Sequence, residues 1–157
     1  MADSANFEFL AVHDPLLDLL GGQAERYFAD DLSTSLIKLR QWGEVLAQGV
    51  AVYSGLSLVT GEDFRGLLNR LWEAGPLKGA DLARVFHGLR RAGNQAVHEH
   101  VGSHRDALHQ LKMARKLGVW FHTSVAGESA FKPGPSCRRR IRLRFQGRRT
   151  TTPSRPS

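Results

Sequence analysis

Residues 33–53 read Ser-Thr-Ser-Leu-Ile-Lys-Leu-Arg-Gln-Trp-Gly-Glu-Val-Leu-Ala-Gln-Gly-Val-Ala-Val-Tyr. Within this stretch Leu36, Leu39, Gly43, Leu46, Val50 and Tyr53 step by 3, 4, 3, 4 and 3, the seam of a bundle helix. The helix is expected to start at Ser33 or Thr34, and Arg40 and Glu44, four apart, are placed to pair on its flank.

Helical spacing continues on both sides. Asp14-Pro15 reads as an N-cap followed by proline at the first helical position. Leu16, Leu20, Ala24, Tyr27 and Phe28 then fall on one side, with Gly21-Gly22 as a bend. Phe7, Phe9 and Leu10 form an apolar lead-in. Thr60-Gly-Glu-Asp63 reads as a capping box, followed by Phe64, Leu67, Leu68, Leu71 and Trp72 and stopped by Gly75-Pro76. A fourth helix over 81–98 turns Leu82, Val85, Phe86, Leu89, Gly93, Ala96 and Val97 inward. Ser103 caps a last helix carrying Leu108, Leu111, Met113, Leu117, Gly118 and Phe121. No stretch alternates apolar and polar residues long enough for a sheet. The expectation is an all-α bundle of about five helices over residues 1–126.

Composition agrees with one folded body. The chain has 157 residues, 41% hydrophobic and 24% charged, ordinary for a globular protein and long enough for a sizeable core. A single cysteine, Cys137, excludes an internal disulfide and suggests no oxidising compartment. No apolar run approaches the ~18 residues of a membrane span, and the start lacks a signal-peptide pattern. A cytoplasmic location and no membrane partner are the expectations.

The net charge of +7 is unevenly distributed. Residues 137–157 hold eight Arg and no acid; removing these from the 22 basic residues leaves 14 against 15 acids in residues 1–136. The body therefore carries −1 overall, and the basicity belongs to a Pro/Arg-rich tail (127–157) expected to be disordered. Arg138, Arg139 and Arg140 there are weak nucleic-acid-binding candidates.

The remaining chemistry sits on the fourth helix. On a wheel with Arg91 at zero, Arg84 falls at about 20°, His87 at about 320°, Asn94 at about 300° and His98 at about 340°. These five residues oppose the apolar face, which spans about 120° to 240°. A fixed cation, an amide and groups titrating near neutrality suit a scissile phosphate. The plainer alternative is that a helix face opposite a core is simply polar. His98-Glu-His100 with His104 offers a third, metal-binding pattern, but there is no cysteine nearby and Gly102 breaks the helix. Neither metal nor cofactor is expected.

The string Leu89-Arg-Arg-Ala-Gly-Asn-Gln-Ala-Val-His-Glu99 resembles the signature of a domain of unknown function in the HEPN clan. Asn6–Leu10, Ala24–Asp31, Ser35–Gln41, Leu108–Arg115 and Trp120–His122 resemble the surrounding elements of that domain. The resemblance covers residues 6–135 and implies a HEPN-like helical bundle. It also implies kinship with the N-terminal region of type I restriction R-subunit-like and DEAD-box helicase-like proteins. Helicase motifs are absent here. The first functional expectation is thus a non-catalytic accessory or interaction domain, a truncated or frameshifted copy lacking the helicase and nuclease parts.

The alternative that the resemblance implies is a metal-independent ribonuclease acting in defence or as a toxin, built as a dimer. His98 would be its general acid/base, Arg91 would stabilise the phosphorane, and Asn94 would position a phosphate oxygen. Arg84 and His87 would contact nucleic acid. Against that reading, Ala92 follows Arg91 where the clan motif has a polar residue. A third expectation is structural, with Asn94 bonding the loop near Gly102 and Arg91 pairing with an acid on the first or second helix. The implied partners are a second copy of the chain, restriction-modification or helicase subunits, and RNA or DNA.

Overall fold

The computed structural model describes residues 6–78, 81–98 and 103–125. Five α-helices form the bundle: α1 (Pro15–Tyr27), α2 (Leu32–Tyr53), α3 (Phe64–Ala74), α4 (Leu82–His98) and α5 (His104–Trp120). A 3₁₀ turn (Glu8–Val12) precedes α1, and a single π-helical turn (Phe121–Val125) follows α5. Among the described residues there is no strand. The architecture is all-α. The expected tail and the segment containing Glu99, His100 and Gly102 lie outside the described residues.

Local chemistry sets most helix starts. The Leu16 amide donates to Asp14 Oδ1 at 2.9 Å, and the Thr34 amide donates to Asp31 Oδ1 at 3.0 Å. The Asp106 amide donates to Ser103 Oγ at 3.2 Å. Each bond satisfies an amide that the first helical turn leaves without a carbonyl. At α3 the cap is Asp63, which accepts from the Gly66 amide at 2.8 Å, and not Thr60 as the capping-box pattern suggested. Gly61 takes a left-handed φ of 84°, so the chain turns before Asp63 and the helix starts three residues later. Gly75, at φ 110°, ends α3. Asp63→Ala should cost about 1 kcal/mol, read as a lowered urea midpoint. A neutral result would show that this cap adds nothing to the bundle.

The core forms around α2. Trp42, Leu39, Leu46, Val50 and Ala47 of α2 are fully buried, with Phe86 and Leu89 of α4, Leu71 of α3 and Leu10 of the 3₁₀ turn. All the seam residues of α2 are buried except Tyr53, which is half-buried. Ser35 Oγ donates to the Ala24 carbonyl at 2.7 Å, giving a buried hydroxyl its partner and joining α1 to α2.

On α1 the buried face is Leu17, Leu20, Gly21 and Ala24, while Leu16 and Tyr27 are each 41% exposed. The helix is therefore rotated from the expected face. The cause lies at Gly21, where an added Cβ would fall 2.4 Å from Phe7 Cγ. The buried Phe7 ring thus occupies the space a side chain would need. Val97, expected inside, is exposed, as are Trp72 and Leu108 of the apolar spacings on α3 and α5.

Candidate functional site

The fourth helix brings its polar residues to three different environments. Arg84 is exposed and faces Asp81 at 3.8 Å, a surface pair of small energetic consequence. His87 is half-buried, and its Nδ1 accepts from Arg90 Nε at 3.2 Å. Burial, then the charges of Arg90, Arg91 and Arg65, push its pKa below the ordinary histidine value. His98 is the last residue of α4 and is exposed.

Asn94 is already engaged. Its Oδ1 accepts from Arg40 Nε of α2 at 2.8 Å. Gly93 makes this contact possible: a Cβ there would lie 2.4 Å from Arg40 Cβ, 2.9 Å from its Cδ and 3.0 Å from the Leu36 carbonyl oxygen. The aliphatic stem of Arg40 therefore lies against the bare backbone of α4 and delivers its guanidinium to the next residue. Gly93-Asn94 of the signature string is a clasp between α2 and α4. Asn94 was expected to bond the loop near Gly102, or a phosphate; the structure gives it Arg40. Arg40 in turn bonds Asn94 rather than Glu44.

Arg91 is exposed and lines a groove of about 370 Å³ between α4 and α5. Gln95, Asp106, His109 and Gln110 complete the polar lining, over Gly88, Ala92 and Leu36. His98, His87 and Asn94 do not line it. The imidazole sharing this groove with Arg91 is thus His109, from α5, and not the expected His98. No ion pair joins Arg91 to an acid on α1 or α2 among the described residues. Nor do the described residues contain a group of three metal-ligating side chains.

Arg65 and Arg90 were not singled out in the sequence, and Arg40 was expected only to pair with Glu44. Burial, followed by the charges of Arg65 and Arg91, lowers the Arg90 pKa; Asp63 opposes this and Arg40 adds to it. Arginine stays charged under such perturbation. Four guanidiniums from α2, α3 and α4 therefore share one region of the surface, with Asp63 as the acid close enough to register.

The chain is similar to a type I restriction endonuclease subunit. It is 35% identical over 133 residues to the Type I restriction enzyme EcoKI endonuclease subunit of Escherichia coli (strain K12), a match covering 83% of this chain. The chain spans 11% of the length of that relative. No protein-family model matches it, and no solved structure does either. The similarity to the restriction subunit extends over most of the bundle rather than a single motif. No helix among the described residues is long and apolar enough to cross a membrane.

Proposed function

We propose that this chain is a non-catalytic accessory domain of a type I restriction endonuclease-like subunit, serving assembly or interaction rather than bond cleavage. The observation that carries the reading is the Arg40–Asn94 clasp over Gly93, within the similarity to the restriction subunit. The clasp gives Asn94 a structural role, its carbonyl oxygen holding α4 to α2. The HEPN-clan resemblance of residues 89–99 fits the same reading: within that string Leu89 and Ala96 are buried and Gly93-Asn94 form the helix–helix clasp of the bundle. The implied partners are the remainder of such a subunit and other restriction-modification or helicase subunits.

A chimera tests this. The matching segment of the Escherichia coli subunit is replaced by the present chain, and restriction of unmodified DNA is measured. A folded, assembled chimera that still restricts is the expected result, and His98→Ala should leave its activity within about twofold. A folded chimera that fails to assemble would refute the accessory role. The purified chain incubated with RNA in EDTA should leave it intact. Cleavage abolished by His98→Ala would instead establish the ribonuclease reading.

A further inference from the structure

α3 exposes Arg65, Asn69 and Trp72 on one line, at helical positions i, i+4 and i+7. Trp72 is 46% exposed, unusual for the most costly side chain to leave in water. At 1.5 Å per residue the line runs about 10 Å along the helix. Its Arg65 end is close enough to Arg90 and His87 of α4 for its charge to disfavour their protonation. Arg91 extends the same cationic region to the groove against α5. Among the described residues, ion pairs occupy Arg70, with Glu62, and Arg84, with Asp81; Arg65, Arg90 and Arg91 have no carboxylate. Two acids lie nearby without an ion pair to these arginines: Asp63, which caps its own helix, and Asp106, which lines the groove with Arg91.

Like charges that outnumber their counter-charges are unfavourable to the isolated bundle. They become favourable when a polyanion supplies the missing charge. The charge-bearing groups here are guanidiniums, whose planar forks match phosphate oxygens. An exposed indole on the adjoining line adds a flat apolar platform, which a phosphate chain alone does not need but an unpaired base does. Cationic track plus aromatic platform is the combination that holds unpaired nucleic acid strands without reading their sequence.

From this juxtaposition we infer that the α3–α4 face binds single-stranded nucleic acid, with Arg65, Arg90 and Arg91 holding phosphates and Trp72 stacking a base. This goes beyond the accessory role and stands or falls apart from it. Binding alone is assigned to the face, with no cleavage.

Fluorescence anisotropy of the full chain with a labelled 20-nucleotide oligothymidylate, and with a 20-base-pair duplex, tests the assignment. Arg65→Ala/Arg90→Ala should weaken single-strand binding roughly tenfold or more. The double variant should also flatten the slope of log affinity against log salt by about 1.4, at about 0.7 for each phosphate no longer neutralised. Trp72→Ala should weaken the single strand at least about fivefold while leaving duplex affinity nearly unchanged. Arg65→Lys/Arg90→Lys, which keeps the charges, should restore most of the salt slope. Melting curves of Trp72→Ala and of Arg65→Ala alone should match the parent, because both residues are exposed. Arg90 is half-buried and bonded to His87, so each variant's binding is read at a temperature where its melting curve shows it folded.

Three results would overturn the inference. Parent-like binding by the Arg65/Arg90 and Trp72 variants would place retention elsewhere in the chain, including the arginines at 138–140. Equal affinity for duplex with no effect of Trp72→Ala would show a surface that reads phosphates only. Displacement of the strand by polyglutamate as readily as by unlabelled oligothymidylate would identify an acidic polypeptide as the fitting partner.

Discussion

Gly93→Ala is expected to lower the stability of the bundle by about 2 kcal/mol, whereas Gly88→Ala in the same helix raises it by about 0.5–1 kcal/mol. In a helix interior, alanine gains up to about 1 kcal/mol over glycine because the unfolded chain loses backbone freedom. At Gly88 the new methyl meets Gln110 Oε1 at 3.6 Å, ordinary contact with the end of a flexible side chain, so the propensity gain survives. At Gly93 it would lie 2.4 Å from Arg40 Cβ and 3.0 Å from the Leu36 carbonyl oxygen. No rotamer moves a Cβ or a main-chain oxygen, so α4 must withdraw from α2. Overpacking of this kind costs about 1–3 kcal/mol, and losing the Arg40–Asn94 bond adds roughly 1 kcal/mol. The sum exceeds the propensity gain. Gly93→Val, with its branched Cβ, should cost about 3 kcal/mol or more. Urea midpoints of the variants followed by circular dichroism decide the matter. Equal signs for the two alanine variants would mean the close approach of α2 and α4 is wrong.

The same residue shows what a single sequence can and cannot disclose. The α2 seam, the Asp14-Pro15 start and the Ser103 cap were legible because every group involved lies within one or two turns. Cap placement at α3 failed within that same range: Thr60 and Asp63 both satisfy the residue preference, and the left-handed turn at Gly61 decides between them. The α1 face was misplaced because a hydrophobicity pattern gives glycine no weight, yet Gly21 is where the Phe7 ring packs. Val97 falls inward by spacing and is exposed, because spacing does not show how far along a helix its neighbours reach.

The candidate site was legible in part. The wheel placed Arg84, His87, Arg91, Asn94 and His98 opposite the core, but it could not show that they serve different neighbours. Asn94 meets Arg40, 54 residues away in the chain, and Arg91 shares its groove with His109 of another helix. Such pairings depend on how helices dock and leave no local pattern. The cationic cluster was hidden for a different reason. A body with net charge −1 in sum can still gather four guanidiniums in one place, and a sum carries no position.

Acidification should weaken the bundle by about 3 kcal/mol between neutral pH and pH 4, through the buried imidazole of His13 and its contact with His122. His13 Nε2 and His122 Nδ1 lie 2.8 Å apart, bringing the residue that closes the 3₁₀ turn against the turn that follows α5. His13 is only 7% exposed and stacks edge-on against Phe121, with ring centroids 5.4 Å apart. Phe9 packs against His122 in the same way. The 2.8 Å contact needs one nitrogen to donate and the other to accept, so it requires at least one neutral ring. Burial, with His122 alongside, pushes the His13 pKa down from 6.5 to about 4; burial lowers His122 as well. Between these two values the unfolded chain takes up a proton at His13 that the folded bundle refuses. Stability from the neutral ring is therefore complete above about pH 6.5 and is lost progressively as pH falls toward 4. Denaturation midpoints at about pH 7.5, 5.5 and 4.5 measure the slope. His13→Phe replaces the imidazole with a ring that cannot titrate, so whatever its stability at neutral pH, its decline between about pH 6.5 and 4 should be distinctly shallower than the parent's. Parallel curves for parent and variant would mean that other groups govern the acid response.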